Sequence, residues 1–288
     1  MTSRRTIRGL PRLIWYTRRW WLGRGTVLYS FRGDRFKAYC DTEAYHSVMF
    51  AVGIEDRFVD DVLNAVIKPG DIVFDVGANV GMVTLLVASC LRGNGRVDVH
   101  CFEPDIRAYR LLERNCRVNG YDSILNNIAV GATEGEADMV MATTLGWSTL
   151  APEPKHGFEF LQKAESRKVP VTTLDAYCQR QGVVPDLIKV DVEGFETNVI
   201  QGGERILRAK QPFILMEVNP SRLAAANSSV CELAARCENL GYSWFHASRA
   251  LSARYCGRSS WRGFPEASER DIPAGGIIDV LAVARHAQ

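Results

Sequence analysis

No run in this 288-residue chain approaches the roughly 18 consecutive apolar residues that cross a bilayer. A soluble or, at most, surface-attached protein is expected. No two of the eight cysteines, at positions 40, 90, 101, 116, 178, 231, 237 and 256, form a Cys-x-x-Cys pair or any spacing that reads as zinc ligands. They read as reduced core and helix residues. The N-terminus lacks a clean apolar h-region and a small-residue cleavage site, so it does not read as a secretory signal and the cytoplasm is the expected compartment. Internal repeats are missing as well, which excludes a solenoid.

Net charge is nearly absent too, at +2, but the balance is local. Arg4, Arg5, Arg8, Arg12, Arg18, Arg19 and Arg24 precede the first acidic residue, Asp34, and Trp15, Tyr16, Trp20 and Trp21 sit among them. A segment of that composition packs its tryptophans on the domain, lies on an anionic membrane through residues 1–25, or reaches for a phosphate-bearing substrate. Nucleic acid is not expected as a partner, because the body carries no basic stripe. Residues 1–50 read as this basic arm with a small extension, and residues 51–288 as one catalytic-sized domain.

What is present is an alternation of strand and helix. From Glu55 to Ile67 apolar positions recur at helical spacing, and "KPGD" ends the run. Strand "DIVFDV", helix "GMVTLLVASCL", strand "RVDVHCFE", helix "DIRAYRLLERNCRVNG" and strand "ILNNIAV" follow. The rhythm breaks between Gly131 and Thr173, then resumes with strand "DLIKVDV", helix "FETNVIQGGERILRA" and strand "PFILMEV". A helix ends at Gly241, and the strands "YSWFHA" and "GIIDVLAVA" flank an irregular stretch from Arg249 to Gly275. Such alternation predicts an α/β fold with a mostly parallel sheet.

The stretch "VFDVGANVG" carries the chemistry. A strand stops at Asp75, and Gly77 and Gly81 turn the chain into a helix, so backbone and ligand can approach closely. Glu103 ends the next strand, where a carboxylate can accept both hydroxyls of a ribose. The glycine spacing is wrong for the G-x-G-x-x-G of dinucleotide sites, and Asp75 would repel a phosphate while welcoming a cationic amino-acid moiety. S-adenosylmethionine, with an ammonium, a sulfonium and a ribose, fits that arrangement. A nicotinamide-dependent oxidoreductase on a similar sheet and a non-catalytic module retaining the fold stay open as alternatives.

The blocks "VFDVGANVG", "CFEPD", "NNIAV", "VPVTTLD", "DLIKVDVEGFE" and "ILMEVNP", in this order from about residue 55 to residue 220, resemble the FkbM-type family of S-adenosylmethionine-dependent methyltransferases. The resemblance implies a class I methyltransferase (Rossmann-like) fold, with seven strands, the last one antiparallel, and helices on both faces. It implies O-methylation of a sugar, glycolipid or polyketide-like natural product, hence a small-molecule or glycan acceptor. It places Asp75, Gly77, Ala78, Asn79 and Gly81 around the methionine part of the cofactor, Glu103 on the ribose, and Asn127 and Ile128 near the adenine. "LGWSTL" resembles a family segment that usually has two serines; here Ser148 and Thr149 keep the hydroxyl pair.

A hydroxyl acceptor calls for a positioned base at the carboxyl edge of the sheet. Alternation through "LIKVDVE" puts Leu187, Lys189, Asp191 and Glu193 on one side if the strand runs that far, and Lys189 then needs Asp191 or Asp75 as its partner. Asp191, Glu193, Glu217 and His246 are the candidate catalysts, with Asn219 as a further hydrogen-bonding group on the same rim. No metal is expected, since Asp191 and Glu193 lack an evident third ligand.

Overall fold

The computed structural model describes residues 26–31, 36–41, 57–90, 95–142, 148–150, 165–245, 266–267 and 278–285. Its central sheet contains β3 (Ile72–Val76), β4 (Asp98–Phe102), β5 (Ile124–Asn126), β9 (Leu187–Val190), β10 (Phe213–Val218), β11 (Tyr242–Phe245), β12 (Glu266–Ala267) and β13 (Ile278–Ala284). The order is β12-β11-β13-β10-β9-β3-β4-β5. β5, β4, β3, β9 and β10 pair in parallel, and β13 runs antiparallel between β10 and β11. The expected seven strands are present. β12 is an eighth, of two residues, inside the stretch that reads as irregular.

Each strand feeds two cores by alternation, because successive side chains leave opposite faces of the sheet. Val73, Val99, Cys101, Leu187, Leu215 and Leu281 pack with α1 (Arg57–Val66), α2 (Met82–Cys90) and α3 (Ile106–Asn119). Phe74, Val76, Phe102, Ile188, Val190, Ile214 and Met216 pack on the other face with α4 (Leu174–Gln181), α5 (Glu196–Gln201), α6 (Glu204–Lys210), α7 (Pro220–Ala225) and α8 (Val230–Asn239). Helices thus cover both faces, which is what near-continuous apolar strands require. Among the described residues no helix is long and apolar enough to cross a membrane.

Several elements depart from the sequence reading. An antiparallel hairpin, β1 (Thr26–Phe31) and β2 (Phe36–Asp41), lies against α3: Asn115 and Asn119 exchange hydrogen bonds with the backbone of Tyr39 and Lys37. The "ILNNIAV" strand divides. β5 stays in the central sheet, while β6 (Ala129–Val130) joins β7 (Gly135–Met141) and β8 (Glu165–Thr172) in a second sheet ordered β6-β8-β7. "FETNVIQGGERILRA" is two helices rather than one. A Cβ on Gly202 would stand 2.0 Å from the carbonyl oxygen of Gly131, so the break admits the chain leaving β6. α4, capped by the Thr173 side chain on the Ala176 amide, and α7, capped by Asn219, are additional helices.

Candidate active site

The sheet order reverses between β3 and β9, and a cleft opens outside their carboxyl ends, as expected at a topological switch point. Its open space, solvent at the mouth included, is about 620 Å³. Gly77, Asn79, Glu103, Asp105, Ala129, Met139, Ser148, Leu150, Asp191 and Glu193 are among its walls. Of the residues expected to hold the cofactor, Gly77, Asn79 and Glu103 thus face the cleft. Asp75, Ala78, Gly81, Asn127 and Ile128 stand behind its wall.

The glycine turn is fixed by its own backbone. Gly77 and Ala78 both donate to the Phe102 carbonyl, at 2.9 and 3.1 Å, and Gly81 donates to the Ala78 carbonyl at 2.8 Å. Gly77 has φ +79°, and a Cβ there would come within 1.8 Å of the Asp191 carbonyl oxygen. Only glycine lets the turn and the end of β9 touch. Asn79, also at positive φ, leaves its buried Oδ1 without a partner at the cleft, a group a ligand can satisfy.

Glu103 is almost fully buried and accepts from two amides, Asn79 N and Asp105 N, each at 2.7 Å. Burial pushes its carboxyl up to about 8 against those two hydrogen bonds. It stands where a ribose-bearing ligand would find acceptors for its hydroxyls. Asn127 holds the turn beneath it, donating to the carbonyls of Glu103 at 2.7 Å and Pro104 at 3.1 Å. Its amide is therefore committed to the protein. Ala129 and Val130, just beyond Ile128, supply the apolar wall on that side.

Asp105 was not among the expected residues, although its place two positions after Glu103 and just before a helix is an N-cap signal. It caps α3 through the Arg107 amide, pairs with the Arg107 guanidinium at 2.6 Å and accepts from Ser148 Oγ at 3.0 Å. Burial works to raise its carboxyl, but the Arg107 and Ser148 hydrogen bonds outweigh this and hold it below the usual range. Thr149 donates to the Glu193 carbonyl at 3.0 Å. The hydroxyl pair of "LGWSTL" therefore ties its segment to both sides of the cleft. Trp147 lies outside the described residues.

At the other end, β9 stops at Val190, so strand alternation does not carry through to Glu193, which turns at φ +57°. Lys189 is the centre of this end. Its Nζ donates to Asp191 Oδ2 at 2.6 Å, and it is paired in register with Asp75 on β3. Burial alone would lower the lysine pKa; Asp191 and then Asp75 reverse that and hold it above the ordinary value. Asp75 is raised by burial despite Lys189, consistent with a geometry in which Thr84 donates to Oδ2 at 2.6 Å while Oδ1 has no partner.

Glu193 forms a buried ion pair with Arg222 of α7, a residue the sequence reading does not single out. Glu217 lies on β10 opposite Asp279 of β13 and outside the cleft wall. Asn219 caps α7, its Oδ1 accepting from the Ser221 and Arg222 amides. Glu196, at the start of α5, is buried; burial pushes its carboxyl up to about 7. His246 lies outside the described residues.

These contacts gather the fit for the cofactor in one place: a cradle that any Cβ would fill, an orphaned amide oxygen and a buried carboxylate. A model of the methyltransferase FkbM domain matches residues 75–243, more than half of the chain. The 2-O-methyltransferase NoeI of Sinorhizobium fredii is 29% identical over 169 residues, 54% of this chain and 66% of NoeI. The AMB antimetabolite synthetase AmbE of Pseudomonas aeruginosa is 26% identical over 204 residues, 58% of this chain but 9% of AmbE. The match thus spans less than two thirds of either relative. The FkbM methyltransferase of Methylobacillus flagellatus KT superposes with a TM-score of 0.37 at 16% identity, covering 62% of this chain and 43% of that one. A domain match that starts at the aspartate beneath the glycine turn and runs into β11 makes this chain a member of the FkbM family of methyltransferases, with S-adenosylmethionine as its cofactor.

Proposed function

We propose that the protein transfers a methyl group from S-adenosylmethionine to a hydroxyl oxygen of a sugar, glycolipid or polyketide-like natural product. The observation that carries this reading is the Asp191 carboxylate, presented in the cleft wall with one oxygen held by Lys189. A group that only accepts hydrogen bonds suits the proton of a hydroxyl. The name of NoeI, a 2-O-methyltransferase, supports oxygen as the target.

When bound, S-adenosylmethionine supplies an electrophilic methyl group together with its own leaving group. The chain then has three tasks. Gly77, Asn79 and Glu103 would hold the cofactor, Val192 and Leu150 in the cleft wall would exclude water, and the Asp191 carboxylate would take the proton of the acceptor hydroxyl. Lys189 keeps Asp191 in place, and Glu193 is committed to Arg222.

Calorimetry with S-adenosylhomocysteine, followed by transfer of a labelled methyl group, tests the proposal. Asp191→Asn should keep the binding heat and lose roughly 10²- to 10⁴-fold in transfer. Unchanged transfer by that variant would remove Asp191 from the role. Contact of residues 1–25 with an anionic membrane is a separate proposal, supported by the Arg/Trp composition alone; sedimentation with anionic liposomes should fall when those residues are deleted.

A further inference from the structure

Four carboxylates line the cleft, Glu103, Asp105, Asp191 and Glu193, and the described wall contains no lysine, arginine or histidine. Cations are near, and the two at the Asp191 end are each paired with a carboxylate. Lys189 is on Asp191 with 6% of its side chain exposed and Arg222 is on Glu193 with 13%, whereas Arg107, at the cofactor end and 40% exposed, divides itself between Asp105 and the Ala142 carbonyl. Three backbone donors at the Asp191 end are committed: Asp191 N to the Val76 carbonyl, Gly194 N to Glu196 Oε1 and Phe195 N to the Val192 carbonyl.

Recognition of a phosphate, sulfate or carboxylate needs guanidinium, ammonium or free amide donors aimed at the anion. This wall offers acceptors instead. An anionic group placed beside Asp191 and Glu193 would meet like charge in a partly desolvated cleft, where such repulsion is poorly screened. A hydroxyl or an ammonium meets the opposite situation, since it brings the protons that these oxygens lack.

Building on the O-methyltransferase reading, we infer that the acceptor carries no phosphate, sulfate or carboxylate next to its reacting hydroxyl, and that it is a neutral or amino-bearing polyol. Of a uronic acid, a sugar phosphate, a plain glycoside and an amino sugar, the last two are substrates. Glu193 and its Arg222 partner set the discrimination, because the arginine stays masked while the glutamate is charged.

The experiment uses the full chain, labelled S-adenosylmethionine and matched methyl glycosides of hexoses and deoxyhexoses in plain, 2-amino, uronate and 6-phosphate forms. Plain and 2-amino forms should exceed the anionic ones in kcat/KM by at least about tenfold. Glu193→Gln, which uncovers Arg222, should narrow that ratio. A uronate or phosphate that leads the series, a panel silent throughout, or a ratio unmoved in Glu193→Gln overturns the inference. Calorimetry with S-adenosylhomocysteine separates this from failure of the underlying reading: binding heat without the charge order sinks the acceptor class alone, whereas no heat removes the methyltransferase site itself.

Discussion

At the β3–β4 end of the cleft the chain is positioned by its own backbone, and at the β9–β10 end by charged side chains. The first end rests on amides of Gly77, Ala78, Asn79 and Asp105, which reach the Phe102 carbonyl or Glu103. The second rests on the Lys189–Asp191 and Glu193–Arg222 pairs, with Asp75 beside Lys189. Backbone contacts specify a shape that tolerates almost no change of side chain. Ion pairs specify a charge pattern, which can be retuned one residue at a time.

The sharpest way to break the contrast is at the point where the two ends touch. Gly77→Val puts a side chain into the Asp191 carbonyl and asks a β-branched residue to adopt φ +79°. Affinity for S-adenosylhomocysteine by calorimetry should fall by about 10³-fold or more, equivalent to roughly 4 kcal/mol. A variant with full affinity would show that the turn does not cradle the cofactor.

At the side-chain end the expected loss is smaller and falls on stability. Arg222→Met leaves Glu193, only 13% exposed in its side chain, without its guanidinium. Breaking a largely buried pair in this way costs about 3 kcal/mol. Urea unfolding should show that loss in Arg222→Met, and pairing it with Glu193→Gln should restore much of it, because the uncompensated charge is then gone. Additive losses would mean that the two residues do not act as a pair.

Legibility follows the same division. The glycine turn and Glu103 rest on local signals: a short apolar strand, two glycines, an amphipathic helix and an acid at the next strand end, whereas the seven strands with an antiparallel last one follow from the family resemblance of the motifs taken together. Arg222 has no such signal, since its importance depends on Glu193 turning at positive φ and on α7 beginning at Asn219. The resemblance places Asn127 near the adenine; the strand divides there, and the side-chain NH2 of Asn127 serves the Glu103 turn. In β2 the alternation of Phe36, Ala38 and Cys40 is a period-two signal, yet the arginines of the preceding segment dominate its composition. Domain limits at residue 50 and the role of His246 remain expectations.

pH distinguishes the two ends next. Glu103 is raised from 4.5 to about 8 by burial, with Asp105 and Asp75 adding repulsion, and Glu196 is raised to about 7 by burial. A raised carboxyl stabilises the fold fully below its unfolded value and loses that contribution as pH climbs through the folded one. The protein without cofactor should therefore lose stability between about pH 5 and 8 on account of these two groups. His100 works in the other direction: burial lowers it, so its contribution is lost as pH falls below 6.5. Hydroxyl donors favour ionised Glu103, so S-adenosylhomocysteine affinity should rise up to about tenfold per unit toward pH 8 and then level. Glu103→Gln should flatten that slope; a slope that survives assigns the proton to another group.

The smallest expected effect lies where the segment after β7 meets the cofactor end. Ser148 accepts from the Ala142 amide at 3.1 Å and donates to Asp105 Oδ2 at 3.0 Å, so one hydroxyl fastens the segment carrying Leu150 to the cap of α3. Removing it leaves Asp105 with Arg107, so no charge is stranded, and takes one acceptor from the buried Ala142 amide. Ser148→Ala should then cost about 1 kcal/mol, read as a roughly fivefold weaker S-adenosylhomocysteine affinity with little change in urea midpoint. Thr149→Val removes the matching bond to the Glu193 carbonyl and touches the side-chain end instead. It should lower methyl transfer more than cofactor affinity, whereas Ser148→Ala does the reverse. Equal profiles for the two neighbours would mean that the segment acts as one lid, and the two ends of the cleft are not separately built.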